Sequence, residues 1–258
     1  MQVVLIGAGK LATNLGRALR EAGHQILCVY SRTLVSARAL AQMTGGYPTD
    51  SIKAIPLVAD VFIVAVKDAV LAELLPGLAQ GRSQQLFVHT AGSMPMSLFE
   101  GLFVHYGVFY PMQTFSKERQ VDFRDISLFI EASDADSLQK LQVLAETLTA
   151  HVYKLSSEDR KYLHLAAVFA CNFVNHCYAL SAEVLEQKGL PFSVMLPLID
   201  ETARKVHTLT PHDAQTGPAV RYDKNVIRMQ AQMLADSPLT REIYESLSLS
   251  IHQKQEKQ

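Results

Sequence analysis

Near the start of the chain, small residues stand at a spacing that suits phosphate binding. They follow the apolar run 3–6 and precede a helical pattern. Gly7 allows a tight turn, Gly9 lets a pyrophosphate approach bare backbone, and Ala12 packs the helix against a sheet. The helix N-terminus adds free N–H groups and the positive end of its dipole. The spacing predicts a dinucleotide site formed by Gly7, Gly9, Lys10, Leu11 and Ala12.

The end of the second predicted strand, 25–30, bears on which dinucleotide binds. An Asp or Glu about 20 residues after the glycines would accept from a ribose 2′-hydroxyl and repel a 2′-phosphate. Here the strand is followed instead by Ser31, Arg32 and Thr33. The Arg32 guanidinium suits a phosphate, and the hydroxyls of Ser31 and Thr33 add hydrogen-bond donors. The alternative is that Arg32 is an ordinary surface residue that contacts only solvent. We therefore predict NADP as the cofactor.

Two later strands, 61–66 and 86–89, predict further cofactor contacts. Ligands of open α/β sheets bind beyond the carboxyl ends of the strands. Val66 and Lys67 end the first of these strands, and Ala91 and Gly92 follow the second. We expect these four residues to line the cofactor site. Lys67 could instead contact a substrate carboxylate or face solvent.

Two groups of residues are candidates for acid–base chemistry. His89 ends a predicted strand and is either a general acid near neutral pH or a structural histidine. On the helical segment 158–187, His164, Asn172 and Asn175 lie within about 80° of one another around the helix axis. This polar face either lines a cleft between two domains or forms hydrogen bonds within the helical domain. The predicted catalytic residues are His164, Asn172 and His89.

Polar residues in three loops, and Asn175 on the helical segment 158–187, are expected to contact a substrate. The loop after strand 86–89 contains Ser93, and the segment 109–116 forms either a pocket wall or an ordinary strand-to-loop crossing. The polar loop 208–218 lies between Pro and Gly residues and is either a binding lid or a brace for the helices. The expected substrate contacts are Ser93, Gln113, Thr114, Asn175, Gln215, Thr216 and Arg221.

The arrangement of predicted elements indicates how these residues are positioned. Strands and helices alternate to about residue 155, which is typical of a doubly wound, mostly parallel α/β sheet. Ser156 and Asp159 then form a helix N-cap signal, and the rest of the chain has a helical pattern. We predict a Rossmann-type NADP-binding domain at 1–155 and an all-α substrate and dimerisation domain at 156–258.

Composition argues against several classes of partner. Among 258 residues, 48% are apolar and 19% are charged, and the formal net charge is −1, so neither nucleic acid nor an acidic membrane surface is expected as a partner. No run of about 18 apolar residues is apparent, so no membrane span is expected. Because a predicted strand begins at once, no leader peptide is expected. The three cysteines predict neither a disulfide framework nor a metal site, and favour a reducing cytoplasm.

Five segments carry a resemblance to a known family. They are GAGKLA at 7–12, HTAGS at 89–93, YPMQTFS at 110–116, HLAAVFACNFVNH at 164–176 and AQTGPAVRYD at 214–223. The chain resembles a Rossmann-like oxidoreductase family whose C-terminal half is an all-helical domain of unknown function. More distantly it is similar to pyrroline-5-carboxylate reductase, the deazaflavin-dependent NADP reductases and the 6-phosphogluconate dehydrogenase superfamily. The resemblance implies a homodimer that pairs through the helical domain.

The resemblance also bears on the catalytic residues. Dehydrogenases of the last superfamily commonly carry a Lys and an Asn on the first long helix of the C-terminal domain. His164 and Asn172 occupy comparable positions here, and no lysine is expected on that face.

We expect hydride transfer between a nicotinamide and a small carbonyl or imine substrate in the interdomain cleft. His164 or His89 would move the proton, and Asn172 would orient the reacting group. The alternative, favoured by the missing lysine, is a sensor that binds NADP(H) without turnover.

Overall fold

One eight-stranded sheet forms the centre of the N-terminal part of the chain. The computed structural model describes residues 1–255. These divide into two compact units, Met1–Cys171 and a second unit that contains the described residues from Asn172 onward. Within the described part of the first unit, the sheet order is β3-β2-β1-β4-β5-β6-β7-β8, with all neighbours parallel except β6 and β7. This architecture confirms the predicted α/β class. The strands are β1 (Gln2–Ile6), β2 (Gln25–Tyr30), β3 (Tyr47–Thr49), β4 (Val61–Val64), β5 (Leu86–His89), β6 (His105–Met112), β7 (Ser127–Ala132) and β8 (Val152–Lys154).

Helices pack on both faces of this sheet. Alternate residues of β1 enter two different cores: Val3 and Leu5 lie in one, Val4 and Ile6 in the other. Because both faces are covered, the strand is apolar throughout rather than alternating with polar residues. The helices of the first unit are α1 (Lys10–Glu21), α2 (Leu34–Thr44), α3 (Asp68–Ala79), α4 (Ala135–Glu146) and α5 (Ser157–Ala167).

Helix α5 begins where the capping signal predicts. The Ser156 hydroxyl oxygen accepts from the Asp159 backbone N–H at 3.1 Å and donates to the Asp159 carboxylate at 2.7 Å. The compact units nevertheless divide at 171/172 rather than at the predicted 155/156. The physical reason is that Arg160 of α5 is 1% exposed and contacts Glu131 of β7 at 2.7 Å. The first turns of this helix therefore belong with the sheet.

The second unit is helical and has little core of its own. After a π-helical segment, Val168–Phe173, the chain forms α6 (Val174–Glu186), α7 (Leu196–Lys205), α8 (Lys224–Met233) and α9 (Pro238–Gln255). Among residues 172–255, only Ala219, Ala231 and Ser248 are buried. Such a small buried set leaves most apolar side chains of this unit exposed.

The apolar helical run Ser157–Glu186 corrects one expectation from the sequence. Its 30 residues include an 18-residue window with a mean hydropathy of 1.3, none of which is buried. By length and composition the helix could therefore cross a membrane, contrary to the expectation that no segment reaches this limit. An average over 18 residues tolerates interspersed polar side chains, whereas a count of consecutive apolar residues does not. A single such helix is weak evidence for a membrane protein.

Candidate functional site

The glycine turn has the backbone geometry that anion binding requires. Gly7 has a φ of +119°, and a Cβ there would lie 2.2 Å from the Ala65 carbonyl oxygen, so only glycine fits. A Cβ on Gly9 would meet no atom of residues 1–255 within 4 Å. Helix α1 starts at the next residue, and no side chain of the described part of the chain caps its N-terminus. The exposed N–H groups are thus available to a phosphate.

A cavity of about 360 Å³ joins this turn to the carboxyl ends of β2 and β4. Part of its lining is polar and includes Arg32 and Ser36, whose hydroxyl accepts from Thr33 Oγ1 at 2.8 Å. Another part is apolar and includes Val70 and Leu74 of α3. A polar region beside an apolar slot suits the phosphorylated ribose and the adenine of a dinucleotide. The residues present therefore fit such a cofactor.

The cavity brings together most of the predicted cofactor residues. Ala12 is buried in the first turn of α1, where it packs the helix on the sheet, and Lys10 and Leu11 begin the same turn. Ala91 and Gly92 are outside this lining, and Ser36 within it was missed. Ser36 stands one helical turn after the predicted phosphate group, which is the signal that could have found it. The predicted residues in the lining are Gly7, Gly9, Ser31, Arg32, Thr33, Val66 and Lys67.

His89, at the end of β5, has the environment of a structural histidine. Its side chain is fully buried, its ring stacks on Phe99 at 5.6 Å, and its Nδ1 accepts from the Ala91 N–H at 3.2 Å. Burial, followed by the positive charge of Arg160, lowers the pKa of His89 from 6.5 to about 4. The ring is therefore neutral at pH 7. This geometry favours the structural alternative over a general acid.

Three residues from distant parts of the first unit meet beyond β5 and β6. Tyr110 Oη lies 3.2 Å from Nδ1 of His164, and the two rings are arranged edge to face. A Cβ on Gly92 would lie 2.5 Å from the same Nδ1 and 3.0 Å from Tyr110 Cζ. Gly92 was predicted to let a cofactor approach backbone. In the structure, its missing side chain makes room for the His164 ring.

Arg160 of α5 is buried near Tyr110 and His89, and the sequence analysis did not identify it. Its guanidinium donates to the Glu131 carboxylate at 2.7 Å, the Met94 carbonyl at 2.6 Å and the Ser157 hydroxyl at 3.1 Å. The Arg160 Nε has no hydrogen-bond partner among residues 1–255. Because Arg160 and Glu131 are 29 positions apart, no local pattern identifies the pair. Its position places a fixed positive charge near both His89 and Tyr110.

The predicted substrate residues of the first unit lie in different places. Ser93 donates to the Asp68 carboxylate at 2.5 Å, which ties the loop after β5 to the start of α3. Gln113 accepts from the Thr114 N–H at 2.9 Å, and both residues line a separate cavity of about 600 Å³. The structure thus does not bring Gln113 and Thr114 into the cavity beside the glycine turn.

The remaining predicted residues lie in the second unit and are exposed. Asn172 lies within the π-helical segment, Asn175 is in α6, and the loop before α8 carries the others. Within that loop, Gln215 Nε2 donates to the Thr216 carbonyl oxygen at 3.1 Å. The catalytic or substrate roles of these residues stay predictions; the set is Asn172, Asn175, Gln215, Thr216 and Arg221.

Among residues 1–255, no cluster of three or more His, Cys, Asp and Glu side chains could hold a metal ion. The three cysteines are free thiols.

Comparison with known proteins identifies both halves of the chain. Residues 1–107 match a model for a Rossmann-like domain, and residues 126–251 match the domain of unknown function DUF2520. No curated protein matches the sequence significantly. A solved structure from Bacteroides fragilis, named as a putative NADP oxidoreductase, is 57% identical, with 98% of each chain covered and a TM-score of 0.94.

More distant solved structures share the fold. A Streptomyces aurantiacus imine reductase has a TM-score of 0.64 at 14% identity, covering 98% of this chain and 94% of the other. Plasmodium falciparum pyrroline carboxylate reductase with NADP bound has a TM-score of 0.63 at 12% identity, covering 98% of both chains. At this level of identity the likeness concerns the fold alone.

Proposed function

Because the chain belongs to the family of Rossmann-like proteins that carry the DUF2520 domain, we propose that it is an NADP-dependent oxidoreductase. The observation that carries the proposal is the cavity beside the glycine turn. It combines an open helix N-terminus with Arg32, Thr33 and Ser36, and no carboxylate lies among its lining residues in the described chain. A 2′-phosphate would therefore meet donors and a positive charge without repulsion. The name of the 57% identical relative agrees with this assignment.

The reaction we propose is hydride transfer to a small carbonyl or imine substrate. The bound cofactor supplies a hydride at its nicotinamide C4. The chain must then hold the substrate and deliver a proton to the heteroatom of the reduced double bond. His164 is the proposed proton donor because it is only partly buried beyond the carboxyl ends of β5 and β6, where ligands of such sheets bind. The proposed role of Asn172 is to orient the substrate.

The cofactor assignment is tested by replacing Arg32 with alanine. We expect NADPH to bind at least about 10-fold more weakly while NADH binding changes little, because a charge-assisted hydrogen bond is worth about 1.5–3 kcal/mol. Fluorescence titration of both cofactors measures the effect. Arg38→Ala is the matched control, since Arg38 is also exposed on α2 but does not line the cavity. Equal losses for NADPH and NADH would contradict the assignment of NADP.

The reaction itself is tested by following NADPH absorbance during a screen of carbonyl and imine substrates. Oxidation of NADPH by one of these substrates supports the proposal. The second candidate function is an NADP(H) sensor without turnover. A missing lysine does not favour it, because Lys161 lies one turn before His164 on α5, about 60° away around the helix axis. Tight NADPH binding with no oxidation by any substrate in the screen would support the sensor.

We also propose that the protein is a cytoplasmic homodimer that pairs through its helical unit. An apolar groove of about 410 Å³ there is lined by Leu180, Val184 and Leu247 among others. So many exposed apolar residues in a unit whose described part buries only two, Ala219 and Ala231, are typical of a surface covered by a second copy. The large apolar side chains exposed on helices and loops of this unit include Val194, Leu196, Leu198, Val206, Met229, Met233, Leu239 and Leu249.

Sedimentation velocity at micromolar concentrations tests the dimer. We expect a dimer for the wild type and a shift toward monomer for Leu239→Lys, because Leu239 is 69% exposed in the single chain. Val35→Lys, on the sheet unit and 78% exposed, is the control and should leave the dimer intact. A monomeric wild type, or protein that partitions into lipid vesicles instead, would contradict the proposal.

A further inference from the structure

Tyr110 and His164 form a contact that determines where the histidine carries its proton. The Tyr110 hydroxyl can donate to Nδ1 or accept from it, and the 3.2 Å distance allows either. Tyr110 is 8% exposed, and its hydroxyl has no other hydrogen bond among residues 1–255. If Nδ1–H were the donor, the buried phenol O–H would lack an acceptor, which is unfavourable for a buried polar group. The phenol is therefore the donor.

The consequence for His164 follows from the two tautomers of imidazole. When Nδ1 accepts a hydrogen bond, the neutral ring carries its proton on Nε2. No hydrogen bond to His164 Nε2 is present within the described chain. The Nε2–H group is therefore available to a substrate.

Gly92 allows the Tyr110 and His164 rings to meet because it has no side chain. With a Cβ at 92 only 2.5 Å from Nδ1 and 3.0 Å from Tyr110 Cζ, any side chain would push the two rings apart. The φ of Gly92 is outside the range that favours glycine, so backbone strain does not explain this residue. Space for the His164 ring does.

We propose that Tyr110 is the positioning residue that holds His164 as the Nε2–H tautomer and passes it a proton through Nδ1. This inference rests on the proposed hydride transfer. Arg160 stabilises the phenolate that such a transfer leaves behind, because its positive charge partly offsets the rise in the Tyr110 pKa that burial causes. The Cys171 thiol acts in the opposite direction and raises the Tyr110 pKa.

The step balances as follows in atoms and charge. The substrate carbon gains a hydride, with its two electrons, from the reduced nicotinamide, while the C=O or C=N π pair moves to the heteroatom. The heteroatom takes the proton of His164 Nε2, and the Nε2–H bond breaks. Nδ1 takes the proton of Tyr110 Oη, which leaves a neutral imidazole and a phenolate. Solvent then delivers a proton to Nε2, and Nδ1 returns its proton to the Tyr110 phenolate, which restores the starting tautomer.

The tautomer can be measured without any substrate or cofactor. In protein labelled with ¹⁵N-histidine, two-bond ¹H–¹⁵N spectra distinguish Nε2–H from Nδ1–H rings, and His164→Asn identifies the relevant signals. We expect Nε2–H for His164 in the wild type and loss of this bias in Tyr110→Phe. Tyr106→Phe, on the same strand but outside the pair, is the matched control and should leave the His164 signals unchanged.

Kinetics test the proton transfer itself. In Tyr110→Phe we expect kcat to fall about 10- to 100-fold, below the full effect of about 10²–10⁴-fold for losing a general acid. KM and the affinity for NADPH should change little, because Phe keeps the ring. An Nδ1–H tautomer in the wild type, or an unchanged kcat in Tyr110→Phe, would overturn the inference. If none of the substrates tested supports NADPH oxidation by the wild type, the proposed function fails. The NMR spectra still decide which tautomer His164 adopts.

Discussion

The buried His89 makes the stability of the protein depend on pH in a way that one substitution can isolate. In the folded state burial and Arg160 lower the pKa of His89 to about 4, whereas in the unfolded chain it returns to 6.5. Between these values the unfolded chain binds a proton that the native state does not. Stability is therefore expected to fall as the pH falls through this window, and to be free of this effect above pH 7.

The size of the effect follows from the two pKa values. Between pH 7 and pH 5, linkage through His89 alone lowers the free energy of unfolding by about 2 kcal/mol. In His89→Asn this dependence should disappear, because Asn has no charged form in that range. The Asn side-chain oxygen can still accept from the Ala91 N–H, as Nδ1 does at 3.2 Å. The lost stacking on Phe99 lowers stability by a similar amount at every pH, so only the slope is diagnostic.

Urea unfolding at fixed protein concentration, at pH 7, 6 and 5, measures this slope. His151→Asn serves as the control, since His151 is exposed and its replacement should keep the wild-type dependence. The reasoning is refuted if His89→Asn loses as much stability between pH 7 and pH 5 as the wild type does. Asp68 and Glu131, which raise the pKa of His89 slightly, are unchanged in both proteins.

Two further substitutions probe the turn and the buried ion pair. Gly9→Ala should weaken NADPH binding at least about 10-fold, because the added methyl group keeps a phosphate away from the backbone. It should change the free energy of unfolding by less than about 1 kcal/mol, since a Cβ there meets no atom of residues 1–255 within 4 Å. Calorimetric titration and urea unfolding check both parts, and unchanged affinity would contradict the phosphate role. Arg160→Met should destabilise the protein by about 3 kcal/mol by leaving Glu131 without its partner. Arg160→Met with Glu131→Gln should cost less than the single change, and a larger loss in the double variant would contradict the reasoning.

The sequence predicted the fold well where local patterns dominate. The strand Gln25–Tyr30 and the helix start at Ser156 lie where turn residues and capping signals placed them. Apolar runs identified the central strands because both faces of the sheet are covered. The limit of the first compact unit was harder to predict, because it depends on a contact between Arg160 and a strand 29 positions away.

The candidate site also has a part that local sequence patterns predict and a part that they do not. The cofactor half follows from residues close together in sequence, such as Gly7, Gly9 and Arg32, which line one cavity. The proton-transfer half depends on Tyr110 and His164, which are 54 positions apart. The sequence suggested His164 as polar on an apolar helix, but nothing local indicated its partner. Tyr110 stood only in the segment 109–116, interpreted as a pocket wall or a strand-to-loop crossing, and in the family segment YPMQTFS.

The anchoring of Arg160 in the sheet unit also determines how the protein can be divided into pieces. A fragment ending at Leu155 would keep all eight strands but lose the cation that contacts Glu131 and the Met94 carbonyl. It would leave a carboxylate and a carbonyl facing an emptied space. A fragment intended to bind NADPH on its own should therefore extend to Cys171. In recombination between relatives, the first turns of α5 should be exchanged together with the sheet rather than with the helices that follow.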